Sequence, residues 1–281
     1  MRSPASTARF VATAIALGVA AGAFFGVPSA PEAVAQSASR AWFGVEVRDR
    51  KDGKAGVLVR HVMRTSPAEA AGLRDGDFLL KLAGKSVSAP NDVVSEVRQH
   101  RPGDVLEVLF ERAGHEQKAR VTLDVFPPAD EMLRREKVGT FAPNLAGVES
   151  VQGTVPAELN KLRGKVVVLD FWAGWCGVCK LVTPVLNGWQ SKFGAQGLVV
   201  IGVSSDDARI AAKATNDFGV KYAVGADAHG SVFPAYGVVA LPTMYVLDKK
   251  GVIRAVDVGF DTDGIVKTQS LIASLLNEPS P

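Results

Sequence analysis

The hydrophobic positions of this chain follow three patterns in succession. Residues 10–27 are an uncharged run. Residues 42–123 alternate between apolar and polar positions in short stretches broken by glycine, the mark of half-buried strands. From residue 138 onward, continuous apolar runs take turns with segments of helical periodicity. That order predicts parallel strands joined by helices, because a parallel pair needs a long crossover.

The third pattern is sharpest at residues 166–184, VVVLDFWAGWCGVCKLVTP. Val166, Val167, Val168 and Leu169 predict a strand covered on both faces, interrupted by Asp170. After Gly174 and Trp175, apolar residues recur at Val178, Leu181, Val182, Val185, Leu186, Trp189 and Phe193, a helix with a wide buried face. Residues 198–203 predict a second buried strand parallel to the first. Helices follow at 207–219, 231–236 and 263–277, and a hairpin at 243–247 and 252–258 around Lys249-Lys250-Gly251.

The middle pattern predicts a small, mainly β unit. Trp42-Phe43-Gly44-Val45-Glu46-Val47 reads as a strand and residues 56–62 as a second. Ser66 caps a short helix with Pro67 in its first turn and Gly72 at its stop. Strand 78–82, the amphipathic helix 91–100 and a hairpin around Ala113-Gly114 complete it. Pro127, Pro128 and the charged run from Glu131 to Lys137 read as a hinge or a short helix between domains, with a solvated linker at 128–137 favoured, so relative domain motion is expected.

Arg2 and Arg9 ahead of the uncharged run, with small residues at Ala33-Val34-Ala35, predict a secretory signal at residues 1–35, with 36–40 as a polar linker. Left uncleaved, the run of about 18 residues is long enough to anchor the protein in a membrane. Either way the body is exported, to the periplasm or another extracytoplasmic space. The net charge of +3, with acids and bases interspersed, offers no nucleic-acid footprint.

The chain has two cysteines, Cys176 and Cys179. A structural zinc site needs four ligands, and no histidine lies near them in sequence, so neither metal nor cofactor is expected. A bridge across two intervening residues constrains the unfolded chain little. At a helix start, unpaired N–H groups and the helix dipole stabilise a thiolate, which makes Cys176 the candidate nucleophile. Cys179, deeper in the helix, is placed to resolve a mixed disulfide, so the two form a candidate redox-active disulfide. In an oxidising compartment a lone C-x-x-C points to catalysis.

FWAGWCGVCK resembles the active-site segment of thioredoxins, F-W-A-x-W-C-G-P-C-K, with Val178 in place of the proline. Asp170, six residues before Cys176, matches the family's buried acid, and Pro184 the proline of the active-site helix. Leu241-Pro242-Thr243 matches the loop whose cis-proline faces the cysteines. The resemblance implies an α/β thioredoxin-like fold over residues 138–281, catalysis by Cys176, Cys179 and Asp170, and substrate contact at Trp175, Leu241 and Pro242. Residues 139–145 and 162–165 resemble the entry to the TlpA-like branch, exported reductases of cytochrome c maturation among them. Residues 41–127 resemble a PDZ domain of the bacterial protease-associated type, through Trp42-Phe43-Gly44-Val45 and SPAEAAGLRDGD at 66–77. That resemblance implies a peptide's terminal carboxylate bound at Phe43, Gly44 and Val45 and its chain added to the strand edge.

The combined expectation is an extracytoplasmic thiol-disulfide oxidoreductase, acting as a disulfide reductase rather than an oxidase, whose PDZ domain docks protein C-termini. The expected partners are disulfide-containing exported proteins, a membrane thiol electron donor and C-terminal tails. Two other readings stay open: a PDZ-based binding or chaperone-like factor with secondary redox activity, and a cytochrome c maturation reductase. A resemblance to peroxiredoxins would require a threonine three residues before the reactive cysteine, where this chain has Ala173.

Overall fold

The computed structural model describes residues 40–281, so the signal sequence expected at 1–35 lies outside the described residues. Two sheets organise the rest. The first holds β2 (Val45–Asp49), β3 (Val57–Val62), β4 (Phe78–Leu82), β6 (Val105–Arg112) and β7 (His115–Thr122) in that order, with β5 (Lys85–Ser86) beside β4. The β6–β7 turn puts Ala113 and Gly114 at positive φ, which matches the twist of the flanking strands. Helices α1 (Pro67–Ala70) and α2 (Pro90–Arg98) flank this sheet.

The aromatic start of this unit divides where a single strand is expected. β1 (Ala41–Trp42) leaves to pair with β8 (Asp124–Val125), and β2 begins only after Gly44, which turns the chain at φ +88°. A Cβ at Gly44 would lie 2.2 Å from Ser66 Cβ, so glycine is required both by the turn and by the close approach of the α1 cap.

The second sheet runs β14 (Ile253–Val258), β13 (Thr243–Leu247), β10 (Val166–Trp172), β11 (Leu198–Ser204), β12 (Ala223–Ala226), β9 (Glu149–Gln152). β10, β11 and β12 are parallel, while β13 and β9 join antiparallel. All seven residues of β10 are buried, because helices cover both faces. Val166, Val168 and Trp172 face α4 (Gly177–Phe193), α7 (Thr262–Asn277) and Ala214 of α5 (Ala208–Phe218). Val167, Leu169 and Phe171 face the side covered by α6 (Val232–Tyr236).

The segment 128–137 takes the short-helix form rather than the favoured solvated linker. It folds as α3 (Ala129–Lys137), with Leu133 buried in the core under Phe171 and Tyr245. Arg134 Nε donates to Val256 O at 3.0 Å and Lys137 Nζ to Ala235 O at 2.8 Å on the thioredoxin-like side. On the other side Arg135 Nη1 donates to Thr65 O at 3.1 Å. The dense charge that reads as solvation is instead spent on Asp130–Arg134 and Glu131–Arg135 pairs one turn apart, which support a helix. Both domains therefore contact one short element.

Candidate active site

The site forms where β10 ends. β13 runs antiparallel to it, with Thr243 opposite Phe171, so the loop before β13 and the loop after β10 emerge at the same end of the sheet. Leu241–Pro242 is a cis peptide at that end, and Gly259 N–H ties Pro242 O to the end of β14 at 2.7 Å. Leu241 is half-buried and Pro242 buried.

Cys176 is the N-cap of α4. Its backbone is extended, and its Sγ accepts the Cys179 N–H at 3.1 Å, the role that a serine or aspartate oxygen takes at other helix starts. Cys176 and Cys179 are joined as a disulfide. Both are buried, Cys176 6% exposed and Cys179 2%, so the expected difference in access is small in the oxidised form. Trp175 stands fully clear of the surface at 75% exposure. Val178 and Leu181, expected on the buried face of the helix, are exposed as well. The apolar stripe is thus wider than the core it packs against.

Asp170 lies on the same face of β10 as Val168 and Trp172, the face that α4 covers. It is buried, and burial pushes its carboxyl up to about 7, against the opposing effect of a hydrogen bond from Tyr222. Tyr222 OH donates to Oδ2 at 3.2 Å, while Oδ1 has no partner among the described residues. An unpartnered buried carboxylate oxygen is costly.

Two residues of the site escaped the sequence reading. Asp206, in the loop after β11, accepts the Gly174 N–H at 2.7 Å and the Ser204 hydroxyl at 2.9 Å, which pins the loop leading to Cys176. The acidic Asp206-Asp207 pair at a strand end was its only signal. Tyr222 is the other. Its signal was Gly202, a lone glycine inside a strand, which marks a close approach.

The PDZ candidate residues sit apart from the cysteines. β2 is the edge strand of its sheet. Its edge, Phe43-Gly44-Val45 and the Val93, Val94 and Val97 side of α2 enclose a cleft of about 240 Å³, and Met132 of α3 closes part of its rim. Phe43 is buried and carries the unit's core, with its carbonyl accepting the Ala68 N–H at 3.0 Å.

These features define a thioredoxin-like domain with a C-x-x-C disulfide, preceded by a PDZ domain. Comparison with known proteins agrees. Residues 138–256 match the AhpC/TSA family and residues 41–123 the PDZ domain family. Thiol-disulfide oxidoreductase ResA of Bacillus anthracis is 34% identical over 127 residues, which are 45% of this chain and 72% of ResA. Protein DipZ of Mycobacterium tuberculosis is 31% identical over 162 residues, 54% of this chain and 23% of DipZ, so this chain spans less than a quarter of that relative. A solved thiol-disulfide isomerase from Corynebacterium glutamicum shares 25% identity, with a TM-score of 0.44 over 50% of this chain and 98% of the isomerase. The chain belongs to the thioredoxin-fold thiol-disulfide oxidoreductases typified by ResA, the TlpA-like branch that its sequence resembles, with a PDZ domain ahead of that fold.

Proposed function

We propose that this protein is an exported thiol-disulfide oxidoreductase that reduces disulfides in other exported proteins. In this reading the Cys176 thiolate attacks a substrate sulfur, and Cys179 then attacks Cys176 to release the product. The observation that carries it is the position of Cys176 at the start of a long helix, where the Cys179 N–H and the helix dipole stabilise negative charge on its sulfur. Asp170 takes the Cys179 proton, being buried on the face that α4 covers, with a free oxygen.

Trp175 and the Leu241–Pro242 loop form the surface against which substrate backbone lies. The cleft beside β2 docks substrate C-termini, since an edge strand and a facing apolar helix are the parts that strand addition requires. A membrane thiol donor then regenerates the dithiol. Ala173, fully buried three residues before Cys176, supports disulfide exchange over peroxide chemistry.

The test of direction is the reduction potential of the Cys176–Cys179 couple against glutathione. A reductase lies near ~ −270 mV, and a value near ~ −120 mV marks an oxidase and contradicts this reading.

A further inference from the structure

Asp170 and Tyr222 lie on opposite sides of one whole strand of the sheet. Asp170 is on β10, and Tyr222 immediately precedes β12, with β11 between. The residue of β11 opposite Asp170 is Gly202. A Cβ there would sit 3.2 Å from Tyr222 Cε2 and 2.9 Å from Trp172 Nε1. The tyrosine ring therefore crosses over β11 through the space that a glycine leaves, and its hydroxyl reaches Asp170 Oδ2 at 3.2 Å. The same hydroxyl meets that of Thr183, which donates to the Cys179 carbonyl at 3.3 Å.

We propose that Tyr222 is a positioning residue for thiol-disulfide exchange: its hydroxyl holds Oδ2 of Asp170, so that Oδ1 is the oxygen that takes the Cys179 proton. The inference rests on the proposed role of Asp170. In the resolving step the Cys179 S–H bond breaks and its proton bonds to Oδ1. The electron pair left on Cys179 Sγ attacks Cys176 Sγ. The bond from Cys176 to the substrate sulfur breaks, its pair leaves with that sulfur as thiolate, and solvent protonates it. The cysteine pair is oxidised to the disulfide and the substrate is reduced.

The surroundings leave Tyr222 as the regulator of this acid. On the same row of the sheet, β11 offers Gly202 and β13 offers Met244, neither of which titrates. From α4 come the cysteines and Thr183. The next titratable group on that row is Asp257 of β14, beyond Met244. It is held by the Thr268 hydroxyl of α7 and opens onto a cleft with Arg134, Asp261 and Lys267. Burial and the neighbouring carboxyl keep the Tyr222 hydroxyl well above its ordinary range, so it remains a donor throughout the working pH range. A donor to a carboxylate favours the charged form, the base that the resolving step needs.

The experiment follows decay of a preformed mixed disulfide between Cys176 and a small aromatic thiol, as a function of pH. It compares the full chain with Tyr222→Phe, Tyr222→3-fluorotyrosine and Asp170→Asn, alongside a carbon-13 NMR titration of the Asp170 carboxyl. Loss of a hydrogen bond to a charged group in Tyr222→Phe moves the midpoint up by about one pH unit. Fluorotyrosine, a stronger donor, moves it down. A purely structural role changes rates without moving midpoints. If Asp170→Asn keeps the wild-type profile, the base role of Asp170 is wrong, and this inference falls with it. If Asp170→Asn loses the profile but both Tyr222 variants keep the wild-type midpoint, only the Tyr222 assignment is overturned. Should Tyr222→Phe fail to fold, the direction of the fluorotyrosine shift decides.

Discussion

Glu136 at the end of α3 meets the His61 ring at Nε2, 2.9 Å away, and accepts the Arg64 N–H at 2.8 Å with its other oxygen. One carboxylate of the connecting helix thus holds two residues of the PDZ domain. Asp75 faces the other ring nitrogen at 3.3 Å. These two acids raise the His61 pKa above its ordinary 6.5, the Glu136 hydrogen bond first, against desolvation. A raised folded value means that the contact stabilises the junction fully below about pH 6.5 and fades as pH rises through the folded value. Limited proteolysis near residues 126–140 should therefore be slower at pH 6 than at pH 8.5, and His61→Gln should remove the difference. Equal cleavage of the wild type at both values contradicts this.

Asp170 carries a stability cost of the opposite kind. Its carboxyl titrates at about 7 in the folded protein, against an ordinary 3.8. Well below 3.8 both states hold the proton, and the group costs nothing. Between pH 4 and 7 only the unfolded state ionises, so stability falls as pH rises, and above 7 the full penalty is present. A shift of about three pH units corresponds to roughly 4 kcal/mol. Asp170→Asn should raise the denaturation midpoint at pH 8 and leave it nearly unchanged at pH 4. The check is urea unfolding at both values; a variant less stable than wild type at pH 8 goes against burial as the cause.

The cleft beside β2 should make turnover of a protein substrate depend on the substrate's C-terminal residues, while a small disulfide reagent is indifferent. Gly44 is a poor probe, since any side chain there strikes Ser66. Val94 is partly exposed on α2 and lines the cleft. Val94→Glu places a carboxylate where a peptide carboxylate or apolar side chain approaches. The KM for a tailed substrate should rise several-fold with kcat on the small reagent unchanged. Unaltered kinetics on both substrates, tailed and tailless, would show that the cleft does not deliver substrate.

Asp206 holds the loop that presents Cys176. Asp206→Ala leaves the Gly174 N–H without its partner and should cost about 1–2 kcal/mol. Hydrogen exchange at the Gly174 amide should accelerate, and the initial attack by Cys176 should slow more than the resolving step. Unchanged exchange at Gly174 removes Asp206 from the site.

Much of this architecture was legible in the chain. The run at 166–169, the helical spacing after Cys176 and the alternation at 105–122 are local patterns, and β10, α4 and the β6–β7 hairpin form there. The rest depends on contacts between distant segments. β9 and β12 are short and gain their order from the sheet edge they join. α3 reads as solvated because most of its charges pair along the helix, while only one of its residues, Leu133, is buried. Tyr222 lies 52 residues from Asp170, and no periodicity connects them. What could be seen was the space for it, a glycine in the middle of a strand otherwise built of branched residues.

The two cysteines divide the work of attack and resolution, and trapping distinguishes their roles. Cys179→Ser and Cys176→Ser are each mixed with a disulfide substrate at pH 7, quenched with acid and mapped by mass spectrometry. A long-lived substrate adduct on Cys176 is expected in the Cys179→Ser variant, and little adduct in the Cys176→Ser variant. Adducts that accumulate on Cys179 in preference to Cys176 would contradict that division.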